Sequence, residues 1–207
     1  SEDNFGTAIS LSGNDLAVSA PRKTINGIMD QGKVYVYKWN GTIWQLDQQI
    51  VSPEPSAYDR FGETVLIQGD TLFISSPQSY TGDDDHNGRV YFYLRSGSVW
   101  VYQNAIDASD GGESDNFGRS IDLKNGNLVI GAPTARIGLI ESCGKAYIFR
   151  YNGTNWIQQA ILSASNREVS DNFGHRVVMA GHTAVIAAPF APLWNNVDNG
   201  RLYYFDK

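Results

Sequence analysis

Apolar positions in this chain come in short runs broken by turn residues, and the runs are of two kinds. Ile9 and Leu11 alternate with polar neighbours in a first run, Thr7 to Ser12, whereas Leu16-Ala17-Val18-Ser19-Ala20 is almost unbroken. Strict alternation marks a half-buried strand, and a continuous run between turns marks a strand covered on both faces. Ser12-Gly13-Asn14-Asp15 reads as the tight turn between the two. Pro21 ends the second strand, and a loop from Arg22 to Gln31 leads to Gly32 and the third, Lys33-Val34-Tyr35-Val36-Tyr37. Asn40-Gly41 supplies the next hairpin turn, because its residues accept the positive φ that tight hairpins require. Trp44 to Ile50 is then an amphipathic fourth strand, so one unit is predicted to be four antiparallel strands.

The pattern repeats every 56 residues without insertion or deletion. Phe5-Gly6, Phe61-Gly62, Phe117-Gly118 and Phe173-Gly174 keep that step, as do Pro21, Pro77, Pro133 and Pro189, Gly32, Gly88, Gly144 and Gly200, and Tyr35, Tyr91, Tyr147 and Tyr203. Each copy is a sheet too small to bury its own faces, so copies must stack. The predicted fold is all-β: a β-propeller of four 56-residue repeats in one domain over 1–207, with blades at about 1–56, 57–112, 113–168 and 169–207. Central strands such as Leu128-Val129-Ile130-Gly131-Ala132, apolar on both faces, suit a blade sandwiched between neighbours. The fourth repeat stops after Arg201 to Phe205, short of its outer strand and Trp. Three readings stay open: a segment of a larger propeller, a three-stranded last blade, or a strand from another chain. The first residue is Ser1 rather than Met, which points to a processed chain or a piece of a longer one.

Composition narrows the partners. Aromatic residues make up 12% and charged residues only 18%, which suits short packed strands. A net charge of -6 argues against nucleic acid, whose binding rests on clustered Lys and Arg. No apolar run is long enough for a membrane-spanning helix. Cys143 is the single cysteine, so no disulfide forms within the chain, and its place before Gly144 reads as a loop position rather than a reactive thiol.

Phe117-Gly118 followed by Gly131-Ala132-Pro133, with the variants Ser19-Ala20-Pro21, Ser75-Ser76-Pro77 and Ala187-Ala188-Pro189, resembles the FG-GAP repeat family, as in the propeller of integrin α-subunits. The resemblance covers essentially the whole chain. It implies a secreted or cell-surface binding scaffold, used for adhesion or for sugar recognition in some lectins, and it does not imply an active site. Many members hold calcium in an Asp-rich turn between the first two strands. The turns here, Gly13-Asn14-Asp15, Gln68-Gly69-Asp70, Asn125-Gly126-Asn127 and Gly181-His182-Thr183, depart from that pattern, which speaks against calcium there.

Candidate chemistry is sparse. Asp83, Asp85 and Asn87, ahead of Gly88, match the first half of a calcium loop, with oxygen ligands at alternate positions. The second half fails, since Tyr91 stands where an acidic ligand is expected; a solvated acidic loop is the other reading, and Ca2+ the only cofactor to consider. Asp3, Asp59, Asp115 and Asp171 precede each Phe by two residues and are predicted to bond backbone N–H groups two residues on. Asn40-Gly41-Thr42 and Asn152-Gly153-Thr154 have the form of N-glycosylation sites, although Asn-Gly is itself a hairpin signal. His86, His175 and His182 lack any catalytic partner motif, so no enzyme is expected.

The repeats differ most in the loops between second and third strands, at 22–31, 78–87, 134–143 and 190–199. A fixed frame with variable loops points to ligand contact through those loops. Trp194, Tyr80 and Phe190 are the aromatic candidates there for a sugar or protein surface, with Arg22 and Arg136 as nearby cations. The expected function is a non-enzymatic extracellular module binding a protein or glycan. The alternatives are a structural subunit that self-associates through the open edge at 201–207, and a lectin with one sugar site per blade.

Overall fold

The computed structural model describes residues 2–79, 87–191 and 199–206. Among them regular structure is strand only, and no helix is long and apolar enough to cross a membrane. The strands are β1 (Ile9–Ser12), β2 (Asp15–Ala20), β3 (Lys33–Trp39), β4 (Trp44–Ile50), β5 (Val65–Gln68), β6 (Thr71–Ser76), β7 (Arg89–Ser96) and β8 (Val99–Ile106). They continue with β9 (Ser120–Lys124), β10 (Asn127–Ala132), β11 (Lys145–Tyr151), β12 (Trp156–Leu162), β13 (Arg176–Ala180), β14 (Thr183–Ala188) and β15 (Arg201–Asp206). Each repeat is one antiparallel sheet in chain order, four-stranded three times and three-stranded in β13-β14-β15. This is the blade arrangement of a β-propeller, with three strands in the last blade among the described residues.

The chain forms two compact units, one of residues 1–84 and 88–106, the other of 85–87 and 107–207. In the first unit Ala17, Val34, Val36 and Ile50 of one blade pack with Phe61, Ile67, Leu72, Tyr93 and Trp100 of the next. In the second, Val129, Ala146 and Ile148 meet Phe173, Val177, Met179 and Ile186. Blades are also pinned by polar side chains. The backbone N–H groups of Ile67 and Gly69 donate to Ser10 Oγ and Ser12 Oγ, both at 3.0 Å, and those of Val177 and Met179 to Ser120 Oγ and Asp122 Oδ2, at 3.1 and 2.7 Å.

The outer strands do not alternate as cleanly as their sequences do. A bulge interrupts the pairing after Val36, Phe92 and Ile148, leaving one extra residue on β4, β8 and β12. In two of the three the extra residue is a Gln that folds back on its own strand, Gln103 and Gln159 donating to the carbonyls of Val101 and Ile157, both at 3.0 Å. A bulge that recurs at one position in every complete blade sharpens the local twist there and ends the strict two-residue period.

Candidate functional site

The loop end of each blade is built on the repeated Phe-Gly. Each Phe packs on the repeated Tyr of its own blade, with centroids 5.4 Å apart for Phe5–Tyr35 and Phe61–Tyr91 and 5.3 Å for Phe117–Tyr147 and Phe173–Tyr203. The following Gly donates its N–H to the residue that opens the Gly-Ala-Pro position of the same blade: Gly6 to Ser19, Gly62 to Ser75, Gly118 to Gly131 and Gly174 to Ala187. That same position also abuts the next blade. A Cβ on Gly131 would fall on the Gly174 backbone, and one on Gly62 would meet Ser19 Cβ at 2.9 Å. The two halves of the motif therefore touch within a blade and again between blades.

The aspartates ahead of each Phe are turn locks, and the bond runs in the opposite direction to the one expected. Oδ2 of Asp59, Asp115 and Asp171 accepts from the N–H three residues upstream, on Ser56, Gly112 and Glu168, at 2.7, 2.8 and 2.7 Å. The residues on either side of each Asp, such as Ser114 and Asn116, have positive φ, so the chain curls back around the carboxylate instead of running forward from it. Burial pushes Asp115 above the usual carboxylate range, while the Gly112 bond and Lys145 pull the other way. In the first blade Asp3 instead pairs with Lys23 at 2.6 Å.

Two of the four variable loops lie within the described residues, and they share one backbone. Ile25 and Ile28 exchange N–H···O bonds at 3.1 and 2.9 Å, and Ile137 and Ile140 at 3.2 and 3.1 Å, making a miniature hairpin at each loop tip. The return limb of the loop is then stitched to the lead-in of the following blade. Tyr58, Arg60 and Phe61 donate to the carbonyls of Met29, Asp30 and Gln31, and Ser170, Asn172 and Phe173 to those of Glu141, Ser142 and Cys143, all between 2.8 and 3.1 Å. Asp30 and Ser142 hold positive φ at the matching step. Such conformations persist in non-glycine residues only when surrounding contacts enforce them.

These loops and the lead-in segments laddered to them carry apolar side chains in solvent. In the first unit Met29 and Tyr58 are 53% and 50% exposed, and the Tyr58 hydroxyl lies 3.3 Å from Met29 Sδ. In the second, Leu139 is 96% exposed and Val169 63%. Their signal in the sequence was the pair of Ile-x-x-Ile spacings around Asn26-Gly27 and Gly138-Leu139, two loops with unlike residues and one geometry.

Of the residues named from the sequence, Arg22, Arg136 and Phe190 are exposed in the loops of three different blades. Among the described residues no hydrogen bond or ring contact links Arg136 and Phe190, the two that share a unit. Tyr80, Trp194, Asp83 and Asp85 lie outside the described residues. Asn87 accepts the Phe117 N–H through its carbonyl at 3.0 Å, the place that Gln31 and Cys143 hold in other blades. No group of three metal-ligating side chains occurs among the described residues. Asn40 and Asn152 are exposed, and each caps its own turn: Asn40 Oδ1 accepts from Thr42 and Ile43, both at 3.0 Å, and Asn152 Oδ1 from Thr154 and Asn155 at 2.9 and 2.8 Å. The turn is a four-residue loop closed by Trp39 and Trp44, longer than the two-residue hairpin that Asn-Gly suggests. It stands at the other end of the third strand from the variable loop. Cys143 is buried, and burial pushes its thiol up.

Residues 1–37, 44–93, 100–149 and 156–205 each match the model of a family described as FG-GAP repeat. The chain belongs to the FG-GAP repeat family. Three of the matches begin at the outer-strand Trp of one blade and end in the third strand of the next, so the family's unit straddles the blade boundary. FG-GAP repeats build propeller-type interaction modules and are typical of extracellular or cell-surface proteins. Among solved structures, Sqt1 of Saccharomyces cerevisiae is similar in fold, with a TM-score of 0.53 at 10% identity. That match covers 90% of this chain and 43% of Sqt1, so the chain spans less than half of that protein.

Proposed function

We propose that this FG-GAP chain is a non-enzymatic module that acts outside the cell or on its surface and binds a protein partner through the loop end of its blades. The observation that carries this reading is the set of exposed apolar side chains, Met29 and Tyr58 in one unit and Leu139 and Val169 in the other, on loops and on the lead-in segments that backbone hydrogen bonds tie to them. Stiff loops lose little conformational freedom on binding, and exposed apolar side chains contribute most when a partner dries them. The Asn40 and Asn152 turns lie, each in its own blade, at the other end of the third strand from the variable loop, so glycans there would leave the loops clear. A lectin reading draws on exposed Phe190 and on Tyr80 and Trp194.

Arrays of extracellular proteins and of glycans, probed with the wild-type chain and with Met29→Glu and Leu139→Glu, test the proposal. A protein partner should be retained by wild type and weakened about tenfold or more by either change, with an unaltered thermal midpoint. Binding that ignores both changes, or that free sugar displaces, would overturn it.

A further inference from the structure

The chain has two methionines, and the fold treats them differently. Met179 is 5% exposed in the core of the second unit, whereas Met29, on the return limb of the 22–31 loop, is 53% exposed. That exposure belongs to the position in the repeat. Glu141, the counterpart of Met29 two repeats on, is also exposed, as are Ser114 and Ser170, the counterparts of Tyr58. Only the first of these loops sets a thioether beside a phenol.

Two contacts hold that pair together. The Tyr58 N–H donates to the Met29 carbonyl at 2.8 Å, a rung of the ladder that ties the loop to the lead-in of the next blade, and the Tyr58 hydroxyl donates to Met29 Sδ at 3.3 Å. Tyr58 holds φ +67° in this ladder, a conformation that surrounding contacts must enforce. The backbone is therefore fixed on both sides of the sulfur, and a polarisable thioether stands in solvent with a hydroxyl against one of its faces.

We propose that Met29 is a redox modification site, converted by hydroperoxides to a sulfoxide whose handedness the Tyr58 hydroxyl selects. A thioether sulfur has two lone pairs, one on each face of its C–S–C plane. The hydroxyl engages one, and a peroxide arriving from solvent meets the other. That lone pair forms an S–O bond with the terminal peroxide oxygen as the O–O bond breaks, and the proton on that oxygen passes to the leaving oxygen, which departs as alcohol or water. Sulfur gives up two electrons and the peroxide takes them. The product is polar and chiral, and separate reductases return each epimer to the thioether. This goes beyond partner binding, and only its consequence rests on that reading: oxidation makes polar one of the apolar side chains that a partner dries.

The full chain is treated with hydrogen peroxide, digested and followed by peptide mass spectrometry. Oxygen should be added at Met29 while Met179 is still reduced. The epimers at Met29, told apart by the two stereospecific reductases, should differ about twofold or more, the factor that one hydrogen bond of modest net strength supports. Tyr58→Phe, with its far-UV circular dichroism unchanged, should bring them to equal amounts, as should oxidation of the wild type in urea. Equal epimers in the folded wild type, or Met179 reacting first, would overturn the proposal. On the protein arrays, a protein whose retention Met29→Glu weakens should be lost likewise by the oxidised chain and regained after reduction. Loss with Met29→Glu alone would overturn the consequence and leave the binding surface standing; loss with neither would overturn that surface and leave the modification standing.

Discussion

Gln48 grips the backbone of Trp100 across the boundary between two blades: its Oε1 accepts the Trp100 N–H at 2.8 Å and its Nε2 donates to the Trp100 carbonyl at 3.0 Å. A side-chain amide satisfies both main-chain groups of one residue on the neighbouring outer strand, as a further strand would. Replacing Gln48 by Ala removes both bonds from a partly buried site. The expected cost is about 1–2 kcal/mol, read from urea unfolding, with faster exchange at the Trp100 amide.

Gly144 has φ +84°, and a Cβ there would fall on the backbone of Phe173. Ala at this position forces two blades apart as well as straining its own backbone, so Gly144→Ala should lose about 2–4 kcal/mol. Gly153, with φ +100° and open space around it, is the control. There the backbone penalty stands alone, and Gly153→Ala should lose only about 1 kcal/mol. Equal losses in the two variants would show that blade contact adds nothing.

Asp115 titrates above the usual carboxylate range because it is buried. An acid raised in the folded state favours its protonated form there. Its contribution to stability is therefore fully present below its unfolded value and declines as pH rises through the folded one. Asp115→Asn keeps an acceptor for the Gly112 N–H and does not ionise. Stability of the wild type relative to this variant should fall as pH rises from about 4 and then level off, measured by denaturant unfolding across that range.

Cys143 is buried, its Sγ 3.3 Å from the Ile140 carbonyl, and its thiol is pushed up by burial. Ellman's reagent should react with it slowly in the native chain at pH 8 and at the rate of a free thiol after unfolding. Fast native reaction would mean that the 134–143 loop opens readily.

Strand order and the number of repeats were legible from residues, because period-two alternation, turn dipeptides and the 56-residue step are imprints of local backbone geometry. The second strands read as apolar on both faces, and β10 is buried along its whole length. The fourth strands read as evenly alternating, and there the text misled, since a bulge leaves no mark in a residue's identity. Asp59, Asp115 and Asp171 were legible as turn residues, but the direction of their bonds depends on the positive φ of their neighbours. The loops at 22–31 and 134–143 looked divergent by residue and proved alike in backbone, because a ladder to the next blade fixes both.

The sequence by itself determined the unit, its strands and its number of copies, since these depend on residues close together along the chain. Only the tertiary structure decided why Gly stands at 32, 131 and 144, and which apolar side chains of the loops remain in solvent. Each of those is a contact made or missing between residues a full repeat apart, and no local pattern carries that information.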